Sequence, residues 1–255
     1  MLPNWIWKRV EKRYIFFPSY EIETTPADVG LAYEDVFFST ANENLLHGWY
    51  VPGSGNGTWL WFHGNGGNVG HRVTELALLH HRLGVNLLIF DYQGYGGSQG
   101  RPSERATYQD ARAALAYLQQ HHGRNAGPVV YYGHSLGTAI AVELAVDHPP
   151  AGLVLVSPFT SVGDMSRLAF PWLPASWLLK DRYNTLERIP NVRCPLLIVH
   201  GRQDELIPIS HGEILFDAAA EPKSFQALSQ AGHNDTFQAG GEVYWSAIKG
   251  FLAAL

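Results

Sequence analysis

Cysteine is nearly missing from this chain: Cys194 is the single one in 255 residues. An intramolecular disulfide is therefore excluded. Cys194 opens the apolar run RCPLLIV, where a thiol packs as a small hydrophobe, so it reads as a core residue rather than a nucleophile. Long hydrophobic runs are missing too. None approaches the about 18–20 residues that span a bilayer, and no signal-peptide apolar region opens the chain. Charged residues make up only 16%, and the net charge of −5 offers no general attraction to nucleic acid. There is no H-E-x-x-H and no Cys cluster to hold a metal, so no cofactor is expected. Repeats and low-complexity linkers are also absent. What remains is a 46% hydrophobic chain, long enough for one large domain or two small ones.

The first 20 residues stand apart. Leu2, Trp5, Ile6, Val10, Tyr14 and Phe17 recur at helical spacing, with Lys8, Arg9, Lys12 and Arg13 mostly off that stripe. The plainer reading is an amphipathic segment that packs on its own domain. The other is peripheral contact with a membrane interface. The expected location is cytoplasmic or membrane-peripheral.

From residue 21 to 255 the pattern predicts one domain. YEDVFFST and LLHGWYV read as two strands joined by a turn. From Thr58 onward strands and helices alternate. TWLWF, NLLIFD, PVVYYG, GLVLVS and PLLIVHG are near-continuous apolar runs, as in a parallel sheet covered on both faces. Segments with helical periodicity lie between them. SFQALSQ reads as a last strand and EVYWSAIKGFLAAL as a closing helix. The expected fold is α/β, a doubly wound, mostly parallel sheet of about eight strands. Residues 159–191 break the alternation and are rich in Trp, Leu, Phe and Pro, so a short helical cap is expected there.

The chemistry centres on GHSLG, Gly133 to Gly137. It follows the strand PVVYY and opens the helix TAIAVELAV, the context of a nucleophile elbow. Such a turn pushes the Ser135 side chain out of the sheet and leaves helix N-terminal N–H groups free for an oxyanion. Serine needs a base, and the base an orienting acid, in the chain order serine, acid, histidine. Asp204, in VHGRQDELIP, and His233, in SQAGHNDTF, both follow strands and would meet Ser135 at one sheet edge. Asp164 is the runner-up acid, with Glu205 and Asp235 nearby. Among the other histidines, His134 would point away if the elbow forms, and His200 lies inside a strand end.

The stretch WLWFHGNGGNVGHR raises a rival idea. A strand, a glycine-rich turn and a helix, with Asp91 closing the next strand, outline a dinucleotide site. Yet G-x-G-x-x-G needs a glycine where Val69 stands. The loop also precedes the elbow by two strands, where a second oxyanion donor is supplied. The backbone N–H groups of Asn65 and Leu136 are the candidate donors, and Asp91 then reads as a turn-organising acid.

FHGNGGNVGHR, DYQGYGGSQG, GHSLG, HGRQDELIP and AGHND, in this order, resemble the α/β-hydrolase superfamily, in particular the serine hydrolases with an HGN-type oxyanion loop that include fatty-acyl protein thioesterases. The likeness runs from about Phe17 to the C-terminus. It implies Ser135, Asp204 and His233 as a catalytic triad and Asn65 and Leu136 as oxyanion donors. The expected activity is that of a carboxylesterase or acyl-thioesterase, lipase-like, acting on an ester with an apolar acyl chain. Phe159, Leu168, Phe170, Trp172 and Trp177 of the cap are candidates for the acyl pocket, or else pack the cap on the sheet. A peptidase or amidase of the same fold, and an inactive binding module on a hydrolase scaffold, are the alternatives.

Overall fold

The computed structural model describes residues 15–55, 57–123, 127–169 and 182–255. Eight strands form one sheet: β1 (Glu34–Ser39), β2 (Leu45–Val51), β3 (Thr58–Phe62), β4 (Asn86–Phe90), β5 (Val129–His134), β6 (Gly152–Val156), β7 (Leu196–Gly201) and β8 (Lys223–Leu228). Their spatial order is β8-β7-β6-β5-β3-β4-β2-β1. β2 runs antiparallel to β1 and β4, and the other pairs are parallel. The chain steps from β3 to β4 on one side, then crosses back to β5 on the other. Loops leaving β3 and β5 therefore diverge at a topological switch point, where open α/β sheets bind ligands.

Period-two alternation decides which side chain faces which layer. Leu60, Phe62, Leu88, Phe90, Tyr131, Leu153, Leu155 and Ile198 face one core. Trp59, Trp61, Leu87, Ile89, Tyr132, Val154, Val156 and Val199 face the other. Helices α1 (Val73–Leu83) and α8 (Gly241–Ala253) cover the second face. Helices α2 (Glu104–His121), α3 (Leu136–Asp147) and α6 (Ile209–Ala218) cover the first. The helices α4 (Val162–Ala169) and α5 (Thr185–Arg188) belong to the expected cap, and α7 (Thr236–Ala239) follows the last loop. Cys194 is buried and unpaired, and burial pushes its thiol up to about 11, as suits a core residue.

Ile15 and Phe16 are buried in the core, and Phe17–Pro18 pairs in parallel with Gly66–Gly67. The last residues of the expected N-terminal segment therefore pack as part of the domain, and residues 1–14 lie outside the described residues. None of the described helices is long and apolar enough to cross a membrane.

Between α1 and the sheet, Tyr132 donates to the carboxylate of Glu75, and the Tyr132 and Tyr244 hydroxyls lie 2.8 Å apart. Burial pushes Glu75 up to about 7 from 4.5, and Asp110 on α2 also reaches about 7. A folded-state pKa above the unfolded one means the folded chain holds the proton more tightly. Stability is then complete below about pH 4.5 and falls as pH rises through 7, by on the order of 3 kcal/mol for Glu75. Urea melts at pH 5 and pH 8 should show this fall, and Glu75→Gln should remove its share. An unchanged pH slope in the variant would contradict the assignment.

Candidate active site

Ser135 stands between β5 and α3 with φ 52° and ψ −118°. That left-handed backbone is costly for a residue with a Cβ, about 1–3 kcal/mol, and is held only where its surroundings enforce it. Two glycines permit the turn. A Cβ on Gly133 would come within 2.7 Å of the Gly137 carbonyl and 2.8 Å of Thr138 Cα, and one on Gly137 would overlap the Phe62 carbonyl. In both cases backbone must shift. Gly137→Ala should therefore lower the unfolding free energy by at least about 2 kcal/mol, read as a fall in the urea midpoint; a wild-type midpoint would mean that β3 gives way easily.

Three of the expected side chains meet above this turn. Ser135 Oγ lies 3.0 Å from His233 Nε2, and His233 Nδ1 lies 2.8 Å from Asp204 Oδ2. All three residues are buried. Asp204 follows β7 and His233 follows β8, so two neighbouring parallel strands deliver both at the same edge as Ser135. The other carboxylate oxygen of Asp204 accepts the N–H groups of Leu206 (3.0 Å) and Ile207 (2.7 Å). Burial alone would raise the Asp204 pKa. Interactions with His200 and His233 and the Ile207 N–H outweigh that and hold the carboxyl well below the usual range. An anionic Asp204 keeps a proton on Nδ1 of His233, so Nε2 presents its lone pair to the Ser135 hydroxyl.

Two of the rival acids are engaged elsewhere. Asp164 accepts from the hydroxyls of Thr160 (2.6 Å) and Ser161 (2.7 Å) and pairs with Arg167. Asp235 accepts the Gly232 N–H at 2.7 Å and braces the His233 loop. His134 does point away from Ser135: its Nε2 donates to the His233 carbonyl at 3.0 Å, and burial drives its pKa down to about 3, so it stays neutral. His200 Nε2 donates to the Ile207 carbonyl at 2.9 Å. These supporting roles for His134 and His200 were not readable from the sequence. The only available signal was a histidine inside an apolar strand end, which needs a hydrogen-bond partner.

The glycine loop after β3 lies against the elbow. A Cβ on Gly64 would sit 3.5 Å from both Ser135 Cβ and His134 Nδ1. Among the described residues, neither the Asn65 N–H nor the Leu136 N–H has a protein acceptor. Unpaired backbone N–H donors can stabilise a developing negative charge. Asp91 is buried and takes the Val69 N–H at 3.0 Å, so it organises the loop, and no ribose is needed to account for it. No group of three or more His, Cys, Asp or Glu among the described residues could hold a metal ion.

The candidate pocket residues divide. Phe159 is buried in the core and Leu168 is 55% exposed. Phe170, Trp172 and Trp177 lie outside the described residues.

Comparison with known proteins agrees with this architecture. Residues 55–186, which carry the glycine loop and the elbow, match the family described as serine aminopeptidase, S33. An uncharacterized protein of Mycobacterium tuberculosis is 42% identical over 252 residues, covering 98% of this chain and 89% of its own length. The α/β-hydrolase domain-containing protein WAV2 of Arabidopsis thaliana is 32% identical, covering 92% of this chain and 82% of its own. Among solved structures, an esterase of Pyrococcus furiosus superposes with a TM-score of 0.78 over 94% of this chain and 98% of its own, at 21% identity, a likeness of fold alone. The chain belongs to the α/β-hydrolase superfamily, within the family described as serine aminopeptidase, S33, and is a hydrolase.

Proposed function

We propose that this chain hydrolyses carboxylic esters or thioesters through an acyl-enzyme on Ser135. The observation that carries the reading is the unbroken hydrogen-bonded chain from Ser135 Oγ through His233 to Asp204. His233 Nε2 takes the Ser135 proton as Oγ attacks the substrate carbonyl. The oxyanion that forms is met by the N–H groups of Asn65 and Leu136. Collapse breaks the bond to the alcohol or thiol, which leaves with the proton from Nε2. His233 then deprotonates a water, which attacks the acyl carbon, releases the acid and returns the proton to Ser135. The scheme needs no cofactor.

The acyl group we expect is apolar. The HGN-type loop, with its resemblance to fatty-acyl thioesterases, supports this, as does the apolar composition of residues 159–191. Each further buried methylene stabilises binding by up to ~0.8 kcal/mol, so four added carbons would raise kcat/KM up to about two-hundredfold. Initial rates on p-nitrophenyl esters from acetate to palmitate test both points. Activity that climbs from butyrate to octanoate supports an apolar acyl site, and a flat profile removes it.

A second reading has one observation in its favour, the description of the matched family as serine aminopeptidases. Aminoacyl p-nitroanilides assayed beside the esters separate the two. Faster turnover of the anilides would make this a peptidase using the same three side chains.

A further inference from the structure

The motif DYQGYGGSQG, residues 91 to 100, takes no part in the scheme above, yet its two tyrosines are completely buried beside the glycine loop. Tyr92 donates its hydroxyl to the His63 carbonyl at 2.9 Å. Tyr95 donates to the Asn65 carbonyl at 2.8 Å, which also takes the Phe17 N–H at 3.1 Å. The carbonyls between and beyond are held as well: Gly64 by His63 Nδ1 at 2.7 Å, and Gly66 by the half-buried Arg72 guanidinium. Four successive carbonyls, 63 to 66, thus each meet a side-chain donor.

This matters because a trans peptide points its N–H opposite its C=O. The Asn65 N–H shares its peptide plane with the Gly64 carbonyl, which His63 Nδ1 holds, and the planes before and after it carry the His63 and Asn65 carbonyls, which Tyr92 and Tyr95 hold. The Asn65 N–H therefore points opposite the Gly64 carbonyl, in the stretch of loop where Gly64 abuts Ser135. A segment containing Gly64, Gly66 and Gly67 has little conformational preference of its own, so something outside it must choose the one arrangement that serves an oxyanion. Burial raises both phenols well above their ordinary range, so they remain O–H donors at every working pH.

We propose that Tyr92 and Tyr95 are positioning residues for catalysis: their hydroxyls, anchored in the turn after β4, clamp the carbonyls of His63 and Asn65, lock the peptide planes on either side of the Gly64–Asn65 peptide, and so hold its N–H for the oxyanion. They act through the loop and touch no reacting atom. The proposal rests on the hydrolase reading of Ser135, and its test separates the two.

Tyr92→Phe and Tyr95→Phe keep the rings and remove only the hydroxyls. Each should lower kcat about 10-fold with KM within about twofold. The double variant should approach the ~10²-fold expected when one oxyanion donor is lost. Affinity for an alkyl boronic acid, whose adduct on Ser135 is tetrahedral and anionic, should fall by the same factor. Inhibition by octanoate, which resembles the product, should not change. Tyr131→Phe is the control, since its buried hydroxyl donates to the His148 carbonyl at 3.0 Å, away from this loop. Backbone amide exchange over residues 63–67 reads the clamp without turnover and should quicken in both variants while the rest of the sheet keeps its protection. A double variant with wild-type kcat, a loss equalled by Tyr131→Phe, or unchanged exchange at 63–67 overturns the proposal. Wild-type protein that neither turns over esters nor labels with a fluorophosphonate at Ser135 overturns the hydrolase reading instead, and the exchange measurement still decides the clamp.

Discussion

Replacing Ser135 by alanine is expected to lower ester turnover by about 10⁴–10⁶-fold, because the nucleophile is lost outright while its base and acid stay in place. The fold should survive. Alanine keeps the Cβ, so the strained φ of 52° at the elbow is neither relieved nor worsened. The one interaction removed is the 3.0 Å hydrogen bond to His233. Groups that act as a unit are not additive, so Ser135→Ala/His233→Ala should be no slower than Ser135→Ala alone. The check is initial rates on the best p-nitrophenyl ester with thermal melts of each variant beside them. A Ser135→Ala protein that retains most of its activity would move the nucleophile elsewhere. A double variant much slower than the single would mean that His233 works on something other than Ser135.

The second large effect is expected at Asp204. Asp204→Asn should reduce kcat about 10⁴-fold with little change in KM. The environment makes this sharper than a lost charge. Oδ1 of Asp204 accepts two backbone N–H groups, from Leu206 and Ile207. An asparagine will point its carbonyl at those donors, which turns its NH₂ group toward His233. Nδ1 of His233 must then become the acceptor, and its proton moves to Nε2, facing Ser135 with the wrong polarity for a base. Asp164→Asn should stay within about threefold of wild type, since that carboxylate serves Thr160, Ser161 and Arg167. Equal losses at the two positions would reopen the choice of acid. A pH signature accompanies the substitution. Because the folded-state pKa of Asp204 is depressed, its contribution to stability is full above the unfolded value of about 4 and is lost as pH falls through the folded one. Acid melts of Asp204→Asn should lack that portion of the low-pH destabilisation.

Much of this arrangement is legible in the sequence. The strand sequences are buried on both faces and flanked by helical periodicity, which leaves a doubly wound sheet as the economical way to cover them. Eight strands and the positions of their helices follow from that pattern. GHSLG was readable because its parts are adjacent in sequence: the strand, the sharp turn and the helix occupy residues 129–147 without interruption. Residues 159–191, where a cap is expected, were only partly readable. Their composition marked them as distinct, but composition does not say which apolar side chain turns inward, and Phe159 and Leu168 went opposite ways.

Local pattern and motif order by themselves determined the fold class, the serine at the strand–helix turn, and a short list of acids and bases, since all of these are read from patterns among residues close in the chain. Only the tertiary structure decided among the members of that list. Asp164 and Asp204 both follow parallel strands. They differ in whether a neighbouring strand brings His233 within 2.8 Å, which depends on the order β8-β7-β6. The same holds for the clamp on the glycine loop. Tyr95 and Asn65 are 30 residues apart, Phe17 and Asn65 are 48 apart, and nothing in either neighbourhood announces the other. Tyr95 and Asn65 meet because β3 and β4 are adjacent in the sheet, so the loops that leave their ends must share the same space and satisfy each other's buried polar groups, while Phe17 arrives through the parallel pairing of Phe17–Pro18 with Gly66–Gly67.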